Sequence, residues 1–292
     1  MQGINSEDSK LYKMRRSFHS GLLLEGILSM DANGVPSNAD KGNRASVQFA
    51  TYIAEALKVE GVSEKLPGQT SGGGFEEAVR SFVDLSLTGL RHIRPGDWVV
   101  EKVRRRAAGP LAEFEQYAHL AELKKEIEVN PALEAVLGNI YEIAPDIVVS
   151  RTPWKDSEIN RHGIFVDSGV AKLTQARAQN WQRPHLHAIV SCKWTLRSDR
   201  AQNARSEALN LIRNRKGRLP HIAVVTAEPT PSRLKSLAAG TGDIDCVYHF
   251  ALDELADAIS AQGSLGQIRD LEMMIKGHRL KDISDLPIDL CN

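Results

Sequence analysis

The feature that most constrains this chain is a series of short apolar runs in its second half, each separated from the next by an amphipathic stretch. Asp146–Ser150, Ile164–Val166, His187–Thr195, Ile222–Thr226 and Cys246–Phe250 are strand candidates. Trp98–Val103 is a further candidate, after the turn Arg94-Pro95-Gly96-Asp97. Helical periodicity runs over 9–30, 46–57, the segment beginning at Phe75, 111–127, the stretch after Arg200, and 252–261, with a shorter helix at Pro131–Leu137. Strands alternating with helices predict an α/β sheet domain. No proline-rich linker divides it, so one domain over residues 1–292 is expected, helical to about residue 140 and with its sheet core in about 141–292.

Lysine plus arginine (37) balance aspartate plus glutamate (37), so any nucleic-acid partner must meet a local basic surface. The three cysteines, Cys192, Cys246 and Cys291, are scattered, which suits a reducing compartment better than a disulfide scaffold. The polar, acidic start is no signal peptide, and no apolar run is long enough to span a membrane. A soluble, cytoplasmic protein is expected. The glycine-rich stretch Pro67–Gly74 lacks the lysine and serine or threonine of a phosphate-binding loop and reads as a flexible entry to the next helix.

The chemistry gathers around Ser191–Glu207. Asp146 stands at the start of one apolar run, and Ser191 and Lys193, two apart, share a face of a later one. If those strands are neighbours, Asp146 and Lys193 meet at one end of the sheet. Glu207 lies beside the helical stripe of Ala201, Ala204, Ala208, Leu211 and Ile212, where a carboxylate is costly unless a cation or hydrogen bonds compensate. A Mg²⁺ ion shared by Asp146 and Glu207 would compensate it, activate water and stabilise charge on a scissile phosphate. Lys193 would orient that water or neutralise the phosphate. Taken singly, each residue has a commoner structural explanation; their combination at the ends of sheet elements favours a metal-dependent nuclease.

Arg197, Asp199 and Arg200 form a second cluster at a helix entrance, with Ser198 or Asp199 as the expected cap. Arginine reads guanine bidentately and aspartate accepts from cytosine, so the cluster suits G·C pairs. A surface cap with ion pairs is the plainer alternative. His185 and His187 lack a third ligand nearby and read as structural, and Cys192 is expected to point into the core.

Asp146 after Pro145, then Ser191-x-Lys193, then thirteen residues and Glu207, resembles the CCGG-specific branch of the PD-(D/E)xK restriction endonucleases. In that branch the second acidic residue has moved from the strand to the next helix. Further blocks along nearly the whole chain carry the likeness, among them V-P-S-N-A-D, L-P-G-Q-T-S-G, H-I-R-P-G-D-W, A-E-P-T-P-S-R and D-I-D-C-V-Y-H-F. The resemblance implies a central mixed sheet flanked by helices. It implies catalytic roles for Asp146, Lys193 and Glu207, with Ser191 where other nucleases have an acid and Glu76 as a further acidic site residue. The Cys192 carbonyl would join Asp146 and Glu207 on Mg²⁺. Arg197, Asp199 and Arg200 would read CCGG; Asp40, Gln69 and Arg233 would make outer or minor-groove contacts. It further implies a type II enzyme cutting double-stranded DNA at GCCGGC after the first G, working as a dimer of dimers beside a separate methyltransferase. A same-fold repair or mobile-element-defence nuclease, and a non-catalytic DNA-binding protein, are the alternatives.

Overall fold

The computed structural model describes residues 8–58, 68–103, 110–130, 132 and 145–292. Its sheet opens at β1 (Trp98–Lys102), which pairs antiparallel with β2 (Ile147–Arg151), and β2 pairs antiparallel with β3 (His185–Lys193). From β3 onward the direction is constant: β4 (His221–Thr226), β5 (Cys246–His249) and β6 (Leu280–Asp282) follow in parallel. Helices connect the parallel strands, as such crossovers require. β1 alternates buried and exposed positions, the mark of an edge strand. β2 and β4, by contrast, are buried along almost their whole length, so their apolar runs are continuous.

The helices before the second strand are α1 (Lys10–Leu24), α2 (Arg44–Ala56), α3 (Gly68–Gly89) and α4 (His119–Val129). Those after the third are α5 (Ser198–Asn214), α6 (Pro231–Ala238), α7 (Leu252–Gln262), α8 (Leu265–Lys276) and the single turn α9 (Leu286–Asp289). Local chemistry sets their starts. Ser9 Oγ accepts from Tyr12 N at 3.1 Å ahead of α1, the Asn43 side chain accepts from Ser46 N at 3.1 Å ahead of α2, and Ser264 with Gln267 forms a capping box on α8. α3 packs on α1 and on β1 and β3, and α2 on α7, so the N-terminal helices cover the sheet.

Several expectations are corrected. Ile164–Val166 is no strand: Ile164 and Phe165 lie exposed in the excursion between β2 and β3. The first helix ends at Leu24, where Glu25 and Gly26 turn the chain. The 111–127 helix is instead two short 3₁₀ turns followed by α4, because Tyr117 and Phe114 turn into the core rather than onto a surface stripe. The glycine-rich stretch is not a loop from Gly68 onward but the first two turns of α3. Gly74 explains part of this: a Cβ there would stand 2.8 Å from Ile27 Cδ1, so glycine lets the helix pass close to the core. Strand β6 carried no expectation, being only three residues long. Pro131–Leu137 falls almost wholly outside the described residues.

Candidate active site

The antiparallel register of β2 and β3 builds the centre. Ile147 pairs with Val190, which places Asp146 across from Ser191 at the end of the strand pair. Asp146 Oδ2 accepts from Cys192 N at 2.8 Å, Ser191 Oγ at 3.4 Å and Lys193 Nζ at 3.3 Å. The carboxylate is buried (7% exposed), and these donors hold it there at a cost far below that of an unpaired charge. The expected meeting of Asp146 with Lys193 thus occurs. Cys192 is buried beneath them, and burial pushes its thiol well above the usual thiol range, which leaves it protonated and inert as a nucleophile.

A second ion pair adjoins the first. Lys102, at the end of β1, pairs with Ile147 across the sheet and donates to Gly73 O at 2.9 Å, while its Nζ stands 2.8 Å from Glu76 Oε2. Glu76 and Lys102 both act electrostatically on the Cys192 thiol, so they belong to the same neighbourhood as Asp146 and Lys193. Lys102 was not among the sequence candidates. Nothing in the chain marked β1 as the neighbour of β2, and without that pairing a strand-end lysine looks like a solvated one.

Glu207 is half-buried on α5, on the face that also carries the buried Ala204, Ala208 and Leu211. Its placement beside the apolar stripe is as the periodicity predicted. The donor set suits Mg²⁺. Buried carboxylate oxygen beside a cationic lysine is hard and anionic, and Mg²⁺ usually takes one or two carboxylates with water and phosphate. Among the described residues no three His, Cys, Asp or Glu side chains gather as a metal cage.

Arg197, Asp199 and Arg200 stand exposed at the entrance of α5. The cap position is Arg197, not Ser198 or Asp199; Asp199 instead lies in the first turn, where a negative charge complements the helix dipole. Arg200 Nη1 donates to Thr195 Oγ1 at 3.0 Å, so its side chain folds back over the connector from β3. Arg233 donates to Asp40, and this bond holds the Asp40 carboxyl below its usual range. Arg233 also stands 3.6 Å from Glu228. The side chain of Gln69 lies outside the described residues. His187 and His185 face backbone carbonyls, at 2.7 Å from Leu290 O and 2.9 Å from Gln175 O, which accords with their structural reading.

The family described as "NgoMIV restriction enzyme" matches residues 18–292. The type II restriction enzyme NgoMIV of Neisseria gonorrhoeae is 55% identical over 276 residues, covering 94% of this chain and 96% of that enzyme. The chain belongs to the NgoMIV restriction enzyme family. It is therefore a type II restriction endonuclease, and its mixed six-stranded sheet flanked by helices is the α/β core expected of one. Two solved structures also align. The PspGI restriction endonuclease–substrate DNA complex shows 12% identity and a TM-score of 0.33, covering 97% of this chain and 92% of that one. The type IIF endonuclease Bse634I with cognate DNA shows 14% identity and a TM-score of 0.35, covering 92% and 91%. Those scores carry no weight beside the sequence match.

Proposed function

We propose that this enzyme cuts double-stranded DNA at a palindrome with a CCGG core, GCCGGC cut after the first G, leaving 5′-phosphate and 3′-hydroxyl ends. One observation carries the reading. The Asp146–Ser191–Lys193 cluster sits at the end of β3, and the exposed Arg197, Asp199 and Arg200 begin four residues later, at the cap and first turn of α5. Cutting and reading groups are thus part of one short segment.

Each residue has a definite task in this reading. Asp146, fixed by the Cys192 N–H, holds the Lys193 ammonium at the cleavage centre. Lys193 aligns the attacking water and offsets charge gathering on the phosphate. Ser191 donates to Asp146 and keeps its orientation. A magnesium ion held by Asp146, Glu207 and the Cys192 carbonyl would supply water acidification and charge neutralisation at the phosphate. Glu76 is kept at the edge of the site by Lys102. Arg197 and Arg200 read guanines and Asp199 a cytosine amino group, while Asp40, Gln69 and Arg233 contact the flanking pairs. Residues 1–292 act as one unit in this reading, since Glu76 of the helical part pairs with Lys102 of β1 and Asp40 with Arg233 of α6.

A palindrome calls for at least two subunits, and a dimer of dimers is the assembly we assign. The excursion between β2 and β3 supports it. Arg177, 2% exposed, pins that excursion by paired bonds of 2.6 Å to Asp156 and bonds of 2.8 Å to Val170 O and Asp167 O. Yet the same excursion shows Phe165 (81% exposed) and Leu173 (94% exposed) to solvent. No described helix is long and apolar enough to cross a membrane. The enzyme is expected to work in the cytoplasm, with a separate methyltransferase protecting host DNA.

Digestion of unmethylated plasmid with Mg²⁺, followed by sequencing of the ends, tests the proposal. Ends at GCCGGC, with a four-base 5′ extension reading CCGG, are expected. Ends at another fixed sequence overturn the site assignment, and scattered ends favour a repair-type nuclease.

A further inference from the structure

Glu228 stands two residues past the end of β4 and is the most deeply buried acidic side chain near the proposed reading surface, at 1% exposure. Its carboxylate has two backbone donors and a guanidinium within ion-pair reach, each from a separate place. Oε1 accepts from Thr230 N at 3.1 Å, Oε2 accepts from Leu196 N at 2.9 Å, and Arg233 Nη1 stands 3.6 Å from Oε2. Leu196 ends the connector between Lys193 and the reader cluster; Arg233 in turn holds Asp40. The same end of β4 also fixes the other side of that connector. Thr226 Oγ1 donates to Lys193 O at 2.7 Å, and Ala227 N donates to it at 3.3 Å.

We propose that Glu228 is a positioning residue for sequence readout. Its buried carboxylate locks the connector carrying Arg197, Asp199 and Arg200 to the Asp40–Arg233 pair, so that core and flanking contacts share one frame. This deepens the restriction reading above and rests on it. The donor count explains why the residue is an acid. Two backbone N–H groups donate to its two oxygens and a guanidinium stands in ion-pair reach, and of the amide and acid only a carboxylate meets both donors and the positive charge. A glutamine there keeps a single acceptor oxygen and must turn its NH₂ toward one of the donors. Burial pushes the Glu228 carboxyl up in pKa, and the Thr230, Leu196 and Arg233 contacts oppose that shift. A plainer role, closing the turn through Thr230 N, uses one oxygen and leaves the Leu196 and Arg233 contacts unexplained.

The test is binding without Mg²⁺, by fluorescence anisotropy, to a GCCGGC duplex and to duplexes with one core or one flanking pair exchanged. The readout is the ratio of dissociation constants, which a smaller folded fraction leaves unchanged. The wild-type ratio is the reference. Glu228→Gln should lower the ratio about tenfold or more for core and flanking exchanges together, equivalent to about 1.4 kcal/mol. An unchanged ratio in folded Glu228→Gln overturns the positioning role while leaving the restriction reading intact. Absence of any preference in wild type overturns both. Should Glu228→Gln fail to fold, Glu228→Asp decides: it keeps the charge near Arg233 but withdraws the oxygen from Leu196 N, and must lose core discrimination if the proposal holds.

Discussion

At the scale of single residues, Asp146 is the hub, because three donors from β3 converge on one of its oxygens. Asp146→Ala removes the partner of Lys193 and the proposed metal oxygen together. Cleavage should fall below detection while binding to a GCCGGC duplex persists within a few-fold, as gel shift without Mg²⁺ would show; full cleavage would sink the assignment. Lys193→Ala should behave likewise in cleavage, since its ammonium, 3.3 Å from Asp146 Oδ2, is the cation assigned to the chemistry. Arg200→Ala should act differently. It should cost about 1–3 kcal/mol of discrimination at one G·C pair, read from competition with single-pair variants, and should leave the cleavage centre in place. Loss of cleavage on every sequence alike would show that Arg200 supports the fold instead of reading a base.

At the scale of elements, β3 and β5 each carry a histidine into the interior. Burial lowers His187 to about 4, although its bond to Leu290 O opposes this, and burial likewise lowers His249 to about 4. An unfolded histidine takes up its proton near pH 6.5, whereas these refuse it until near pH 4. Their neutral burial therefore stabilises the fold fully above about pH 6.5, and that contribution is lost as the pH falls toward 4. Each histidine can account for at most about 1.4 kcal/mol per pH unit across that window. Urea unfolding at about pH 7 and pH 5 should show the loss, and His187→Gln should make it smaller; an equal loss in the variant would mean that other groups titrate. These elements were legible to different degrees. The buried strands β2, β3, β4 and β5 appeared as apolar runs because both faces of the sheet are covered. β6 is too short for any pattern, and 164–166 misled because Ile164 and Phe165 face solvent. The start of α3 was hidden by its glycines, which disfavour helix locally and are overridden by packing against Ile27.

At the scale of the whole molecule, zero net charge says little about the partner, since the proposed contacts are few and local. The pinned excursion at 155–184 gives the clearest global prediction. Leu173→Asp, at an exposed apolar position, should leave folding unchanged and shift the protein to a smaller species in sedimentation velocity; unaltered assembly would remove the excursion from the interface. The meeting of Asp146 with Lys193 was legible in the sequence because both fall at the ends of recognisable strands, and the place of Glu207 because it follows the periodicity of one helix face. Lys102 and Glu228 were not, because their meaning comes from pairing between β1 and β2 and from the packing of β4 under a connector, neither of which leaves a local pattern. Helix α5 has a consequence of another kind. It bears Asp199 and Arg200 in its first turn and Glu207 on its inner face, so one added residue between them would swing Glu207 by about 100° away from the sheet. Over that span the chain can exchange letters but cannot gain or lose one, and any drift toward a new target site must be spelled at constant length.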